Sequence, residues 1–168
     1  VKMSFIQTKY DISGIFNSKS EISFESAGHL DVKYAGNKTT ETNPINLRIQ
    51  MKNVHEKLEI DLKLRFTFES ECSRCLDVNN VKKEKSFFDD FNKNQSNDYD
   101  IDFASDEIEI SSLISELILN EMKLQYICNN ECKGLCSECG NNQNLAICKH
   151  PKKNLKESPF SSLTELDL

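Results

Sequence analysis

The sequence is short of the residues and motifs that mark several common classes of protein. It has no tryptophan, only five glycines and three prolines, and no apolar stretch near the roughly 20 residues that a membrane-spanning helix requires. Residues 1–10 also lack the apolar core and small-residue cleavage site of a secretory signal. We therefore expect a cytoplasmic protein that makes no contact with a membrane.

The usual catalytic signatures are missing as well. The chain contains no glycine-rich phosphate loop, no H-E-x-x-H and no G-x-S-x-G sequence. Its formal net charge of −6 means that the molecule as a whole does not attract nucleic acid, so any RNA contact needs a local basic surface. We expect a protein that is not an enzyme and that has no small-molecule substrate.

The sequence does have enough length for a real hydrophobic core. A chain of 168 residues with 38% hydrophobic and 29% charged residues is typical of one soluble domain. We predict a single domain over residues 1–168. Residues 1–110 are predicted to be mostly β, residues 111–124 to be helical, and residues 125–168 to form a cysteine-rich segment with a short terminal helix.

Apolar and polar residues alternate along two neighbouring stretches, residues 45–51 and 58–68. A period of two is typical of a strand that buries one face. Residues 52–57 between them predict an antiparallel hairpin loop, and residues 80–88 predict a third strand. The predicted fold class is α+β, with a twisted antiparallel sheet or partial barrel, one main helix and a zinc-knuckle-like C-terminal segment.

The main helix is clearest over residues 112–123, where apolar residues recur at helical spacing. Either Ser111 or Ser112 is expected to cap its N-terminus, because serine side chains accept hydrogen bonds from the first free amides of a helix. A short last helix is predicted from Ser158, with a proline at its first position.

The sequence is rich in cysteine, most of it between residues 128 and 148. Two C-x-x-C units present thiolates at the spacing that a tetrahedral zinc ion requires, and histidine is also a zinc ligand. The sequence has seven cysteines, an odd number that cannot pair completely into disulfides. Disulfides also do not persist in a reducing cytosol, so we predict structural zinc instead. The candidate ligands are Cys72, Cys75, Cys128, Cys132, Cys136, Cys139, Cys148 and His150.

The spacing leaves three ways to divide these ligands. In the first, Cys128 or Cys132 joins Cys136, Cys139 and Cys148 in one local site. In the second, Cys72 and Cys75 join Cys136 and Cys139 across the fold. In the third, all eight ligands form two sites of four.

A thiol redox or zinc-sensing protein is the alternative from another functional class. A C-x-x-C unit at the end of a strand can act as a dithiol catalyst. Such sites normally open a helix in a βαβ unit, whereas Cys72 follows an antiparallel-looking strand and no helical pattern follows Cys75.

Basic residues near the first C-x-x-C unit are candidates for contact with RNA or a partner protein. Arg74 lies between the two cysteines, where its guanidinium could bind a phosphate, or could equally be exposed without a partner. Lys82, Lys83 and Lys85 follow on the next strand and could extend the patch. Residues 87–91 include three phenylalanines, which fit a core better than they fit base stacking.

Several of these motifs together resemble one known family. They are S-R-C-L after an alternating strand, E-L-I-L in the helix, C-K-G-L-C-x-x-C-G, and a terminal P-F-x-x-L. This set resembles the YceD family, the large ribosomal RNA subunit accumulation protein. The resemblance implies a role in accumulation or processing of 23S rRNA during biogenesis of the large ribosomal subunit. It implies ribosomal RNA or a ribosome-assembly protein as the partner. His150 stands where the family commonly has a cysteine.

Overall fold

The computed structural model describes residues 4–18, 21–92, 97–99 and 106–150. Within these residues the chain forms one large antiparallel sheet, one two-stranded sheet and two helices. The terminal helix predicted from Ser158 lies outside the described residues.

The elements follow one another with β structure dominating the first two thirds of the chain. The strands in the described residues are β1 (Lys9–Asp11), β2 (Ile22–Gly28), β3 (Lys33–Tyr34), β4 (Asn37–Thr39), β5 (Ile45–Val54), β6 (Lys57–Glu71), β7 (Val78–Asn92) and β8 (Glu107–Glu109). The helices are α1 (Ser13–Ser18) and α2 (Ser111–Leu119). The predicted predominance of antiparallel sheet is confirmed.

The predicted hairpin is formed by β5 and β6, and its alternating apolar residues are buried on one face. The turn is shorter than predicted, because Val54 pairs with Lys57 and only two residues connect the strands. Those residues, His55 and Glu56, have φ angles of 53° and 66°. Two successive left-handed residues are typical of the tight hairpin turn whose twist matches that of the flanking strands.

β6 is the central strand of the large sheet. β7 pairs with it along its whole length on one edge. On the other edge β5 pairs with its first half and the short β4 with its second half. β2 extends the sheet beyond β5, and β3 extends it beyond β4. Within the described residues the sheet is open, and closure into a partial barrel stays a prediction.

The core lies on one face of this sheet and is closed by α2 and by the small β1–β8 sheet. Leu62 and Leu64 of β6 are fully buried, and so are Leu113 and Ile114 of α2. Complete burial of one such side chain contributes about 1.5–3 kcal/mol. The opposite face of the large sheet has no described helix over it and stays accessible to solvent.

The start of α2 differs from the prediction. Neither Ser111 nor Ser112 caps the helix, because Ile110 occupies the N-cap position and makes no side-chain cap bond. The carboxylate of Glu109 instead accepts a hydrogen bond from the Ser111 amide at 2.9 Å. A negative charge at a helix N-terminus is favourable, so glutamate replaces the predicted serine cap.

The end of α2 also differs from the prediction. The helix ends at Leu119 rather than at 123 or 124, and residues 120–122 continue as turns. Met122 remains buried beyond the helix. The apolar spacing that predicted a longer helix therefore reflects burial that continues through a turn.

Candidate metal centres

The end of β6 and the segment after α2 form the first thiol cluster, which we define as Cys72, Cys75, Cys128 and Cys132. All four sulfurs lie within 4.8 Å of one another. The sulfurs of Cys72 and Cys132 are 3.9 Å apart, and those of Cys75 and Cys128 are 3.7 Å apart. Three of the four side chains are buried, and the cluster lies at the C-terminal end of β6.

Backbone hydrogen bonds hold the two halves of the first thiol cluster together. Ser73 donates its amide to the Tyr126 carbonyl at 2.8 Å, and Leu135 donates to the Arg74 carbonyl at 3.0 Å. Cys72 also forms an isolated parallel bridge with Tyr126. The turn after β6 is thus paired with a chain segment more than fifty residues away.

The second thiol cluster, defined as Cys136, Cys139, Cys148 and His150, is local in sequence and more exposed. Its four ligand atoms also lie within 4.8 Å of one another. The Cys139 sulfur is 3.5 Å from that of Cys148 and 3.2 Å from Nε2 of His150. Only Cys136 is buried in this cluster, and Cys139 is exposed.

The two C-x-x-C units form the same knuckle. The amide four residues after the first cysteine donates to that cysteine's carbonyl, from Leu76 to Cys72 at 2.9 Å and from Gly140 to Cys136 at 2.8 Å. Both turning residues have positive φ, 61° for Leu76 and 73° for Gly140. Glycine adopts this conformation without strain, whereas the leucine adopts it at a steric cost.

The hydrogen bonds in the first thiol cluster favour a thiolate at Cys72. Burial opposes ionisation of this thiol, but the amide N–H groups of Cys128, Cys75 and Arg74 point at its sulfur and lower the pKa of Cys72 to about 6. The side-chain amide of Asn144, which donates to the Cys132 sulfur at 3.4 Å, is the main cause of a lowered pKa at Cys132. Thiolates are the form of cysteine that binds metal.

In the second thiol cluster the pKa values of two cysteines move in opposite directions. The amides of Cys139 and Glu138 lower the pKa of Cys136 to about 7. Contact with Cys139, together with burial, raises the pKa of Cys148 to about 11. Sulfurs this close cannot all ionise without a cation between them.

The donor sets fit zinc. Zinc–sulfur bonds of about 2.3 Å in a tetrahedron place neighbouring sulfurs about 3.8 Å apart. The sulfur separations of 3.7 and 3.9 Å in the first thiol cluster match this edge, and they are far longer than a disulfide bond. Four cysteines in one cluster and three cysteines with a histidine in the other are both common zinc ligand sets.

The geometry corresponds to the third of the predicted partitions, two sites of four ligands. It differs from the first, since Cys128 and Cys132 group with the upstream pair rather than with Cys136. It also differs from the second, since Cys72 and Cys75 lie in a different group from Cys136 and Cys139.

Two residues that contact cysteine sulfurs of the first thiol cluster were not predicted from the sequence. Asn144 contacts the Cys132 sulfur, and its side-chain oxygen accepts the Lys133 amide at 2.8 Å. Asp77 lies 3.4 Å from the Cys75 sulfur and accepts a 2.7 Å hydrogen bond from the side chain of Asn142, which joins the two knuckles. The dense run of asparagines directly after Gly140 was the available signal, because such side chains satisfy backbone groups in tight loops.

The predicted basic patch is divided by the structure. The Arg74 side chain is exposed, and its guanidinium donates to the Cys132 carbonyl at 3.3 Å. Lys83 and Lys85 point to the core side of β7, where they bind Glu121 at 3.1 and 2.6 Å. Lys82 points to the opposite face of the sheet. The four residues therefore do not share one surface, and their contact with RNA or a partner stays a prediction.

The Lys83–Lys85–Glu121 group makes stability depend on pH. Hydrogen bonds from Lys85 and Lys83 hold the pKa of Glu121 below its ordinary value of about 4.3. The contribution is present above that value and is lost as the pH falls through the lower pKa of the folded state. We expect Glu121→Gln to destabilise the fold by about 1 kcal/mol at pH 7 and to have no effect at the lowest pH at which the protein stays folded.

Urea unfolding at a series of pH values measures this difference. Glu84→Gln is the matched control, because Glu84 pairs with Arg65 on the exposed face and its side chain is 54% exposed. A constant difference between Glu121→Gln and wild type across the pH range would contradict the assignment.

The described architecture is that of an antiparallel β-sheet protein with two knuckle-type candidate metal centres at one end. The family model of the large ribosomal RNA subunit accumulation protein YceD matches residues 60–167, well over half of the chain. The chain therefore belongs to the YceD family, and the resemblance noted in the sequence is confirmed. The match includes both thiol clusters.

Two curated plant proteins match shorter segments, and both are named large ribosomal RNA subunit accumulation protein YCED homolog 1, chloroplastic. The protein from Zea mays is 44% identical over 54 residues, which are 32% of this chain and 18% of the relative. The protein from Arabidopsis thaliana is 36% identical over 61 residues, 35% of this chain and 19% of the relative. The matched segments thus span about a fifth of the relatives. No solved structure matches the chain.

No helix among the described residues has the length and apolar character needed to cross a membrane.

Proposed function

We propose that this protein is a non-enzymatic factor for the accumulation of 23S rRNA in large ribosomal subunit biogenesis. The family match over residues 60–167 is the observation that carries the proposal. Both plant relatives are named large ribosomal RNA subunit accumulation protein, which supports this role. The protein would bind ribosomal RNA or a ribosome-assembly protein in the cytoplasm, without a membrane or a small-molecule substrate.

Zinc stabilisation belongs to the same proposal. The thiol clusters would each hold one zinc ion, with all eight candidate ligands used. Zinc would act structurally by fixing the segment after α2 against the end of β6. Support comes from the sulfur separations and from the amide groups that stabilise thiolate at Cys72.

Depletion of the protein in its own cell tests the role. We expect 23S rRNA to fall at least several-fold relative to 16S rRNA, with unprocessed precursor accumulating, because large-subunit RNA that is not assembled is degraded. Quantitative RNA blotting measures both species, and a plasmid copy of the wild-type gene should restore them. Unchanged 23S levels and precursor ratios after depletion would contradict the proposal.

A zinc-sensing or thiol redox role is the second candidate. The exposed Cys139 and its short distances to Cys148 and His150 favour it, because an accessible site exchanges metal and reacts with oxidants more readily. The turn after Cys72 opens no helix, unlike a thioredoxin-type site. Purified protein that lacks metal and has freely titratable thiols would favour this candidate over structural zinc.

A further inference from the structure

The solvent-facing side of the large sheet carries a group of cations, of which only Lys82 was a candidate from the sequence. We define the outer-face cations as Arg48, Lys63, Arg65 and Lys82. Arg48 of β5 is directly opposite Lys63 of β6, and Arg65 follows Lys63 on the same face. Lys82 of β7 is opposite Thr67, one position along that face from Arg65. Arg48, Lys63 and Arg65 line a shallow hollow of about 570 Å³ together with Glu25 and Glu84, and Lys82 lines a neighbouring hollow that Arg65 shares.

The charges of this group are only partly compensated. Arg48 binds Glu25 at 2.6 Å, and Arg65 binds Glu84 at 2.9 Å. Lys63 and Lys82 have no ion pair within the described residues. Like charges directly opposite each other in a sheet are destabilising, so the Arg48–Lys63 pair opposes folding. An anionic partner that binds between them would relieve this repulsion.

An aromatic ring lies next to the outer-face cations. Phe88 is opposite Asp61 and two residues from Ser86, which is opposite Lys63. The Phe88 side chain is 65% exposed, whereas Phe91 is buried and Phe87 packs on the core. The core interpretation of the three phenylalanines is therefore correct for two of them and wrong for Phe88. An exposed ring on a sheet beside cations is a platform on which nucleic-acid bases stack.

We propose that the outer face of the sheet binds single-stranded RNA. The outer-face cations contact its phosphates and Phe88 stacks on a base. This inference rests on the proposed role in rRNA accumulation and deepens it by naming the contact surface. The exposed ring favours RNA over an acidic protein segment, because carboxylates need the cations but gain nothing from an aromatic face. The four outer-face cations together with Glu25, Glu84 and Asp61 carry a formal charge of +1, which contrasts with −6 for the chain.

Binding of a 20-nucleotide mixed-sequence RNA, labelled at its 5′ end, tests the phosphate contacts. We expect the double variant Lys63→Gln/Lys82→Gln to bind at least 10-fold more weakly than wild type. The slope of log affinity against log salt should fall by about 1.4, since each lost phosphate contact contributes about 0.7 for single strands. Lys9→Gln/Lys123→Gln is the control, because it makes the same charge change at exposed lysines outside this face.

Phe88→Ala tests the stacking contact separately. We expect about 10-fold weaker RNA binding with an unchanged salt slope, and Phe88→Tyr should retain the affinity because it keeps the ring. Circular dichroism and urea unfolding confirm that each variant is folded. Equal losses in the Lys9/Lys123 control, or full RNA affinity in all the outer-face variants, would overturn the inference.

An acidic protein segment as the partner would give a different result from RNA. Polyglutamate that competes with RNA, together with normal RNA affinity in Phe88→Ala, would indicate an acidic protein segment and overturn RNA binding at this face. In depleted cells, full restoration of 23S rRNA by the Lys63→Gln/Lys82→Gln/Phe88→Ala variant would overturn the inference and leave the proposed function standing. No change in 23S rRNA on depletion itself would instead remove the proposed function, whatever the RNA affinity in vitro.

Discussion

Replacing Cys132 by serine is expected to release zinc from the first thiol cluster and to detach the segment after α2 from the sheet. Cys132 reaches a sulfur sixty residues away, so the cluster closes a long loop. Structural zinc contributes about 10–16 kcal/mol in isolated fingers, as much as the whole stability of a typical domain. Residues 126–150 are rich in asparagine and bury few apolar groups, so little else would hold them in place.

Hydrogen exchange combined with elemental analysis measures this outcome. We expect wild-type protein to hold two zinc ions and Cys132→Ser to hold one, with amide protection lost across residues 126–150. Residues 45–71 should keep their protection, because the hairpin buries its own face without the metal. Complete removal of zinc with a chelator should reproduce the same pattern in wild type.

Cys148→Ser is the matched control for the second thiol cluster. It should also lower the zinc content to one, but the loss of protection should be confined to residues 136–150, because this cluster is closed within a short local loop. Equal protection losses in the two variants would contradict the division into a connecting and a local cluster. Wild-type protein without zinc, or retained protection of residues 126–150 after chelation, would contradict the structural role itself.

The sequence predicts pairs of ligands well and the partners of those pairs poorly. A C-x-x-C spacing places two sulfurs on one knuckle whatever the fold around it. Which knuckle shares an ion with which other cysteines depends on long-range contacts, here the pairing of Cys72 and Ser73 with Tyr126. No local pattern carries that information, so three partitions were open in the sequence, and the structure groups the eight ligand atoms as in the third.

The division of the basic patch has a similar origin. Alternation along β7 puts Lys82 on one face and Lys83 and Lys85 on the other, and this much could be predicted from a period of two. Which face is inward is decided by the register with β6, where Lys83 is opposite Phe66. The lysines on the core side are tolerated because Glu121, beyond the end of α2, supplies a nearly buried carboxylate.

Because one face of β6 points to the core and the other to solvent, we expect substitutions of two adjacent residues to change stability by very different amounts. Leu62 is fully buried and is opposite Phe87, whereas Lys63 is exposed and is opposite Ser86. We expect Leu62→Ala to lower the free energy of unfolding by about 2–5 kcal/mol, since it removes apolar contacts and leaves a cavity in the core. Lys63→Ala should change it by less than about 0.5 kcal/mol and weaken only RNA binding.

Urea unfolding of the two variants at pH 7 separates the faces directly. A loss of about 2–5 kcal/mol is a large part of the roughly 5–15 kcal/mol that stabilises a typical domain, so Leu62→Ala should unfold at a much lower urea concentration. Lys63→Ala could even stabilise the sheet slightly, because it relieves the repulsion from Arg48 across the strand pair. Comparable destabilisation by both substitutions would mean that the outer face is covered, and it could not then be the surface that binds RNA.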